Sequence, residues 1–171
     1  MSGQNDTALG LSRLLLWLLI ALNLFAGVMV AVGFVGSFDF EETISEYCRE
    51  NDLNESILIP TLRVWVFLAV PVIAAVHIQL TKLKEIVETV RQGDPFVAEN
   101  ADRLRVIAWA LLVTQVMHLV FGAMVHIARS ANAEMEWEFS LTGWLAVLLL
   151  FVLARVFKEG ARLRDDLEAM I

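Results

Sequence analysis

Four apolar runs, roughly Leu11 to Gly36, Pro60 to Leu83, Val106 to Ile127 and Leu141 to Phe157, contain no Asp or Glu. A helix needs about 20 apolar residues to cross about 30 Å of hydrocarbon. Apart from closed barrels, only helices satisfy every backbone N–H and C=O there. The pattern predicts an all-α four-helix transmembrane bundle, one integral membrane domain over residues 1–171. Residues 37–59 then form an outer loop, 84–105 a helical hairpin between spans 2 and 3, and 158–171 an amphipathic C-terminal tail. The hydrophobic fraction of 58% exceeds the roughly 45–50% of soluble domains, so the excess needs lipid. The first run follows a polar segment and is too long for a cleaved signal core, so it is expected to be a retained span.

Charge sets the expected orientation. Carboxylates cluster in two connections, Asp39 to Glu55 and Glu134 to Glu138. Of the 13 Lys and Arg, only Arg49, Arg63 and Arg129 fall on that side; Arg13, Lys82, Lys84, Arg91, Arg103, Arg105, Arg155, Lys158, Arg162 and Arg164 fall on the other. The positive-inside rule makes the second group cytoplasmic, with both termini. A net charge of −7 argues against direct nucleic-acid binding, which needs clustered cations.

The hairpin carries the most pattern. Leu80, Leu83, Ile86, Val87 and Val90 keep helical spacing past the boundary marked by Lys82 and Lys84, so the second helix should project beyond the membrane. Gly93 is the expected helix stop, Asp94 an N-cap and Pro95 the first residue of the next helix. In the tail, Phe157, Ala161, Leu167 and Met170 interleave with charges, as on an amphipathic helix. Pro71 is expected to kink the second helix, and Gly27 with Ala31 gives a small-xxx-small packing face on the first.

Signs of chemistry are few. The polar groups expected inside the membrane include His77, His118 and His126 with Asn23, Gln79 and Gln115. His77 and His118 differ in depth by about 12 Å at 1.5 Å per residue, which disfavours a haem held between them. No cofactor or metal is expected. Asn23, Gln115 and His118 are the candidates for an internal polar site, serving helix packing or, alternatively, a small-molecule or ion carrier. No span carries a carboxylate, and no hydrolase, metalloprotease or phosphate-loop motif occurs, so an enzyme is not expected. Cys48 is the sole cysteine, which excludes an internal disulfide and leaves an intermolecular one as a minor alternative. Asn54-Glu55-Ser56 matches a glycosylation sequon, relevant only on a eukaryotic secretory route.

The segment VETVRQGDPFVAENADRLRVIAW resembles the G-x-P-F, Asn and R-L-R-x-I pattern of the bacterial domain-of-unknown-function 2975 family, and VFKEGARLRDDLEAMI is similar to its tail. The matching residues are Gly93, Pro95, Phe96, Asn100, Arg103, Leu104 and Arg105, then Phe157, Gly160, Leu163 and Asp166. The resemblance implies a multi-pass protein of the bacterial plasma membrane with no assigned activity. Members are often encoded beside a small helix-turn-helix regulator, which suggests such a partner.

The resulting expectation is a non-enzymatic regulatory or sensory membrane protein acting on a partner protein. Its contact or structural motif residues would be Gly93, Pro95, Phe96, Asn100, Arg103, Arg105, Phe157 and Gly160. A homo-oligomer or a purely structural membrane subunit are the further alternatives.

Overall fold

A computed structural model of the chain describes the backbone of residues 2–168 and the side chains of residues 10–167. Its secondary structure is all helical: α1 (Ser2–Asp39), α2 (Glu41–Glu50), α3 (Glu55–Arg91), α4 (Ala98–Arg129) and α5 (Leu141–Glu168). Four of these, α1, α3, α4 and α5, are long and apolar enough to cross a membrane. At 1.5 Å per residue, the 37 residues of α3 span about 55 Å, well beyond the hydrocarbon layer. The helix runs past Leu83 to Arg91, the continuation that the Leu80 to Val90 spacing predicts.

The long helices form an open row. Among the described residues α1 packs on α3, α3 on α4 and α4 on α5, while α1 touches neither α4 nor α5, and α3 does not touch α5. The bundle expected from sequence is therefore not closed. In water such a row would leave two apolar faces exposed at large cost. In lipid the tails are as apolar as Leu, so nothing forces closure, and close packing and polar links decide the neighbours. On α1, Leu16 and Ile20 are buried, whereas Leu14, Leu18, Leu22 and Phe25 are exposed.

Each seam has its own fit. Gly27 of α1 faces Ile73 of α3, with room for ordinary van der Waals contact only. Its small-xxx-small face thus meets the second span. Gln79 Nε2 donates to Thr114 Oγ1 (3.2 Å) across α3 and α4. The side chain of Gln115 lies against Gly143, where a Cβ would come within 2.4 Å of it. Trp109 of α4 meets Phe151 of α5 edge to face, with centroids 5.3 Å apart.

The acidic end departs from a plain solvated loop. Residues 37–59 contain the end of α1, all of α2 and the start of α3. Cys48 of α2 is fully buried in a cluster with Leu58 and Ala131, bordered by Ile44, Leu53, Ile57, Leu62 and Ala133. Burial, reinforced by the Glu55 charge, pushes its thiol pKa up, so an intermolecular disulfide through Cys48 is inconsistent with the fold. Two left-handed turns, at Asp52 (φ 55°) and Asn132 (φ 63°), dock on each other. Asn54 N donates to Ala131 O (3.1 Å), and Asn132 Nδ2 to Asp52 O (3.1 Å). Asn54 also caps α3, accepting from the Ser56 amide and hydroxyl. Arg63 ties this end to α1 and α2, donating to Ser37 O of α1 and to Glu41 Oε2 of α2 at 2.6 Å while covering the Phe38 ring.

Helix α3 starts at Glu55 rather than at Pro60 and runs through both Pro60 and Pro71. Helix α5 continues from the fourth apolar run into the tail without a break as far as it is described. Met170, expected on the apolar face of the tail, lies outside the described residues.

Candidate functional site

Most of the residues singled out by pattern converge where α3, α4 and α5 meet at the hairpin end. The turn begins with a Schellman stop. Gly93 takes φ 86°, Asp94 N donates to Thr89 O (3.1 Å) and Gly93 N to Val90 O (3.1 Å). This conformation costs glycine little and an L side chain more. Helix α4 then begins at Ala98, with Val97 at the cap position and no side-chain cap. Asp94 is therefore not the N-cap expected from sequence: the Schellman turn is followed by an extended stretch, leaving Asp94 free to reach elsewhere.

Asn100, in the first turn of α4, fills the centre of the turn and is fully buried. Its Nδ2 donates to Thr89 Oγ1 (2.7 Å) and Pro95 O (2.9 Å). Its Oδ1 accepts from Arg103 Nη1 (2.8 Å). The Arg103 Nε reaches Glu85 Oε2 (3.0 Å), and Lys82 Nζ donates to both Glu85 oxygens (2.9 and 3.0 Å). One chain of charge-assisted and neutral hydrogen bonds thus crosses from α3 to α4. Both amide groups of Asn100 are occupied within the hairpin, so its role is to hold the turn.

The tail closes over this turn. Phe96 stacks on Phe157 of α5 (centroids 5.4 Å, 32° between planes), and a Cβ at Gly160 would lie 3.4 Å from the Phe96 ring. Asp94 pairs with Arg164. Gly93, Pro95, Phe96, Asn100, Arg103, Phe157 and Gly160 therefore belong to one connected unit. Arg105 does not: it pairs with Asp102 (2.9 Å) and lines a groove between α4 and α5. Glu85, Thr89, Asp94 in this role and Arg164 were missed from sequence. The available signals were an acid three residues after Lys82, and a Thr one turn before the helix-stopping glycine.

The three residues of the internal polar site do not converge. Asn23 lies on α1, which packs on α3 and not on α4. Gln115 contacts Gly143 on α5. His118 stacks on Trp137 (5.5 Å) and borders a cavity of about 280 Å³ between α3 and α4. The Asn23 Oδ1 and the His77 Nδ1 are buried and have no hydrogen-bond partner among the described residues. No group of three or more His, Cys, Asp or Glu is placed to hold a metal among the described residues.

Four long apolar helices and a saturated polar hairpin at one end define a multi-pass membrane protein. The chain belongs to the family described as protein of unknown function, DUF2975, whose model matches residues 14–171. No curated protein and no solved structure matches the chain.

Proposed function

We propose that this chain is a non-enzymatic regulatory or sensory protein of the bacterial plasma membrane, acting on a partner protein through its hairpin and tail. The observation that carries this reading is the locked junction itself. Asn100, Arg103 and Glu85 order the turn, and Phe96, Phe157, Asp94 and Arg164 fasten the tail to it. One surface built from three chain segments results, and it presents Val90, Phe96, Leu163 and Leu167 as exposed apolar side chains. Both termini and this surface face the cytoplasm in this reading, on the strength of the Lys and Arg distribution. Exposed apolar residues with a charged surround, beyond the depth that lipid covers, suit a protein contact. A small cytoplasmic helix-turn-helix regulator is the partner to look for first.

Affinity capture from native membranes tests the reading, comparing wild type with Leu163→Asp/Leu167→Asp, whose targets lie on the exposed face and leave the Asn100 network intact. A cytoplasmic protein captured by wild type and lost by the inserted, folded variant is the expected result. Equal capture by both, or none by wild type, would overturn the reading.

A further inference from the structure

We infer that the groove between α4 and α5 at the hairpin end is a binding site for the headgroup of an aminophospholipid such as phosphatidylethanolamine. The groove encloses about 690 Å³. Its floor is made of small buried residues, Ala101, Ala154 and Ala161, and its membrane side is closed by Phe151. The contact of Trp109 with Phe151 sets the antiparallel register of the two helices. Moving one turn outward from it on both helices brings Arg105 level with Arg155. Moving a further turn brings Asp102 level with Lys158 and Glu159. The charges are therefore layered: Arg105 and Arg155 lie nearest the lipid, and one turn, about 5.4 Å, further out Lys158 stands beside the carboxylates Asp102 and Glu159.

The pairing within the groove sharpens this polarity. Asp102 bonds Arg105, and Glu159 and Asp166 share Arg162 at 3.9 Å each. Arg155 and Lys158 line the groove with no hydrogen bond or ion pair among the described residues. Arg155 thus stands unpartnered among the described residues at the level of the lipid phosphates, with Lys158 one turn beyond it, while the outer carboxylates Asp102, Glu159, Asp165 and Asp166 outnumber Lys158 and Arg162. A phosphodiester fits against Arg155 and Lys158, and an ammonium two carbons away reaches Glu159 and Asp102. The neutral glycerol of phosphatidylglycerol offers the carboxylates no cation, and a trimethylammonium group could donate no hydrogen bond to them. Basic pockets between spans are known devices for headgroup recognition; here the adjoining acids select the zwitterion. This site needs only the membrane setting, so failure of partner capture would leave it intact.

Native mass spectrometry of the purified full chain, titrated with dioleoyl phosphatidylethanolamine, phosphatidylglycerol or phosphatidylcholine, tests the assignment. Wild type is expected to retain one phosphatidylethanolamine at lower concentration than either other lipid. Arg155→Gln/Lys158→Gln should weaken that retention about 30-fold, from roughly fivefold per basic residue. Lys84→Gln/Arg91→Gln, which removes the same charge at the same end, should leave it unchanged. Glu159→Gln should keep lipid binding but lose the preference over phosphatidylglycerol. Equal retention of all three lipids, a wild-type preference for phosphatidylglycerol, or equal loss in both double variants would overturn the proposal. Displacement by inorganic phosphate at matched concentration would also overturn it, by assigning the groove to a free phosphate.

Discussion

Asp94, in the hairpin turn, pairs with Arg164 on the last turns of α5, 70 residues away in the chain. With the Phe96–Phe157 stack, this pair is what fastens tail to hairpin. Both side chains are partly exposed, 38% and 44%, so their coupling should be small, about 0.2–1 kcal/mol in a double-mutant cycle of Asp94→Asn and Arg164→Gln. Hydrogen exchange should accelerate in residues 158–167 of either variant and not in α1. Unchanged exchange there would mean that the aromatic stack alone holds the tail.

Asn100 should matter more. Asn100→Leu removes the partner of Thr89 Oγ1 and Pro95 O and frees Arg103 from one acceptor. Leaving buried polar groups unpaired costs about 1–3 kcal/mol each. Thermal unfolding in detergent should fall by several degrees, and the hairpin should become protease-sensitive before the spans do. Asn100→Asp, which can still accept from Arg103, should lose less.

Gly93→Ala places a Cβ at φ 86°, although nothing crowds the position. The loss should be about 1 kcal/mol from backbone strain alone. Gly33→Ala, in an uncrowded helical site, should be neutral or slightly stabilising. Comparing the two denaturation midpoints checks this.

Gly122→Ala should be disruptive for a different reason: its Cβ would fall 2.3 Å from the Trp137 indole. That ring is rigid and also stacks on His118, so it must be expelled, at about 1–3 kcal/mol. The expected signature is a red shift in tryptophan emission, suppressed in a Trp137→Leu background.

Cys48 should be silent in the folded protein. Its full burial and its raised thiol pKa both lower the accessible thiolate, so maleimide at neutral pH should react only after denaturation. In a Cys48→Ala background, Ser130→Cys should be labelled from outside intact cells and Leu163→Cys only after permeabilisation. The reverse pattern would invert the proposed topology.

Much of the fold was legible because lipid imposes a length and polarity rule on each segment separately. The four acid-free runs, the stop at Gly93 and the helical spacing from Leu80 to Val90 are local signals. Of the hairpin residues, Gly93 was legible locally as a helix stop, Pro95 was expected to open α4 but precedes it, and Phe96, Asn100 and Arg103 stood out only through the family resemblance. Asp94 was misplaced because an Asp before a Pro has the same local signature whether it caps a helix or reaches across to another one.

The order of the helices was not local. Sequence alone determined that α1, α3, α4 and α5 can span a membrane, since backbone hydrogen bonding and apolar length leave no other state in hydrocarbon. Tertiary structure decided that they stand in an open row, that Asn23 and Gln115 lie at different seams and that Cys48 of α2 is sealed against Leu58 and Ala131. It also decided that Arg164 returns to Asp94. In lipid, apolarity no longer distinguishes one helix face from another, so close fits such as Gly27 on Ile73, and single polar links, choose the neighbours. Such fits depend on which residues meet in space, and no periodicity along the chain encodes that.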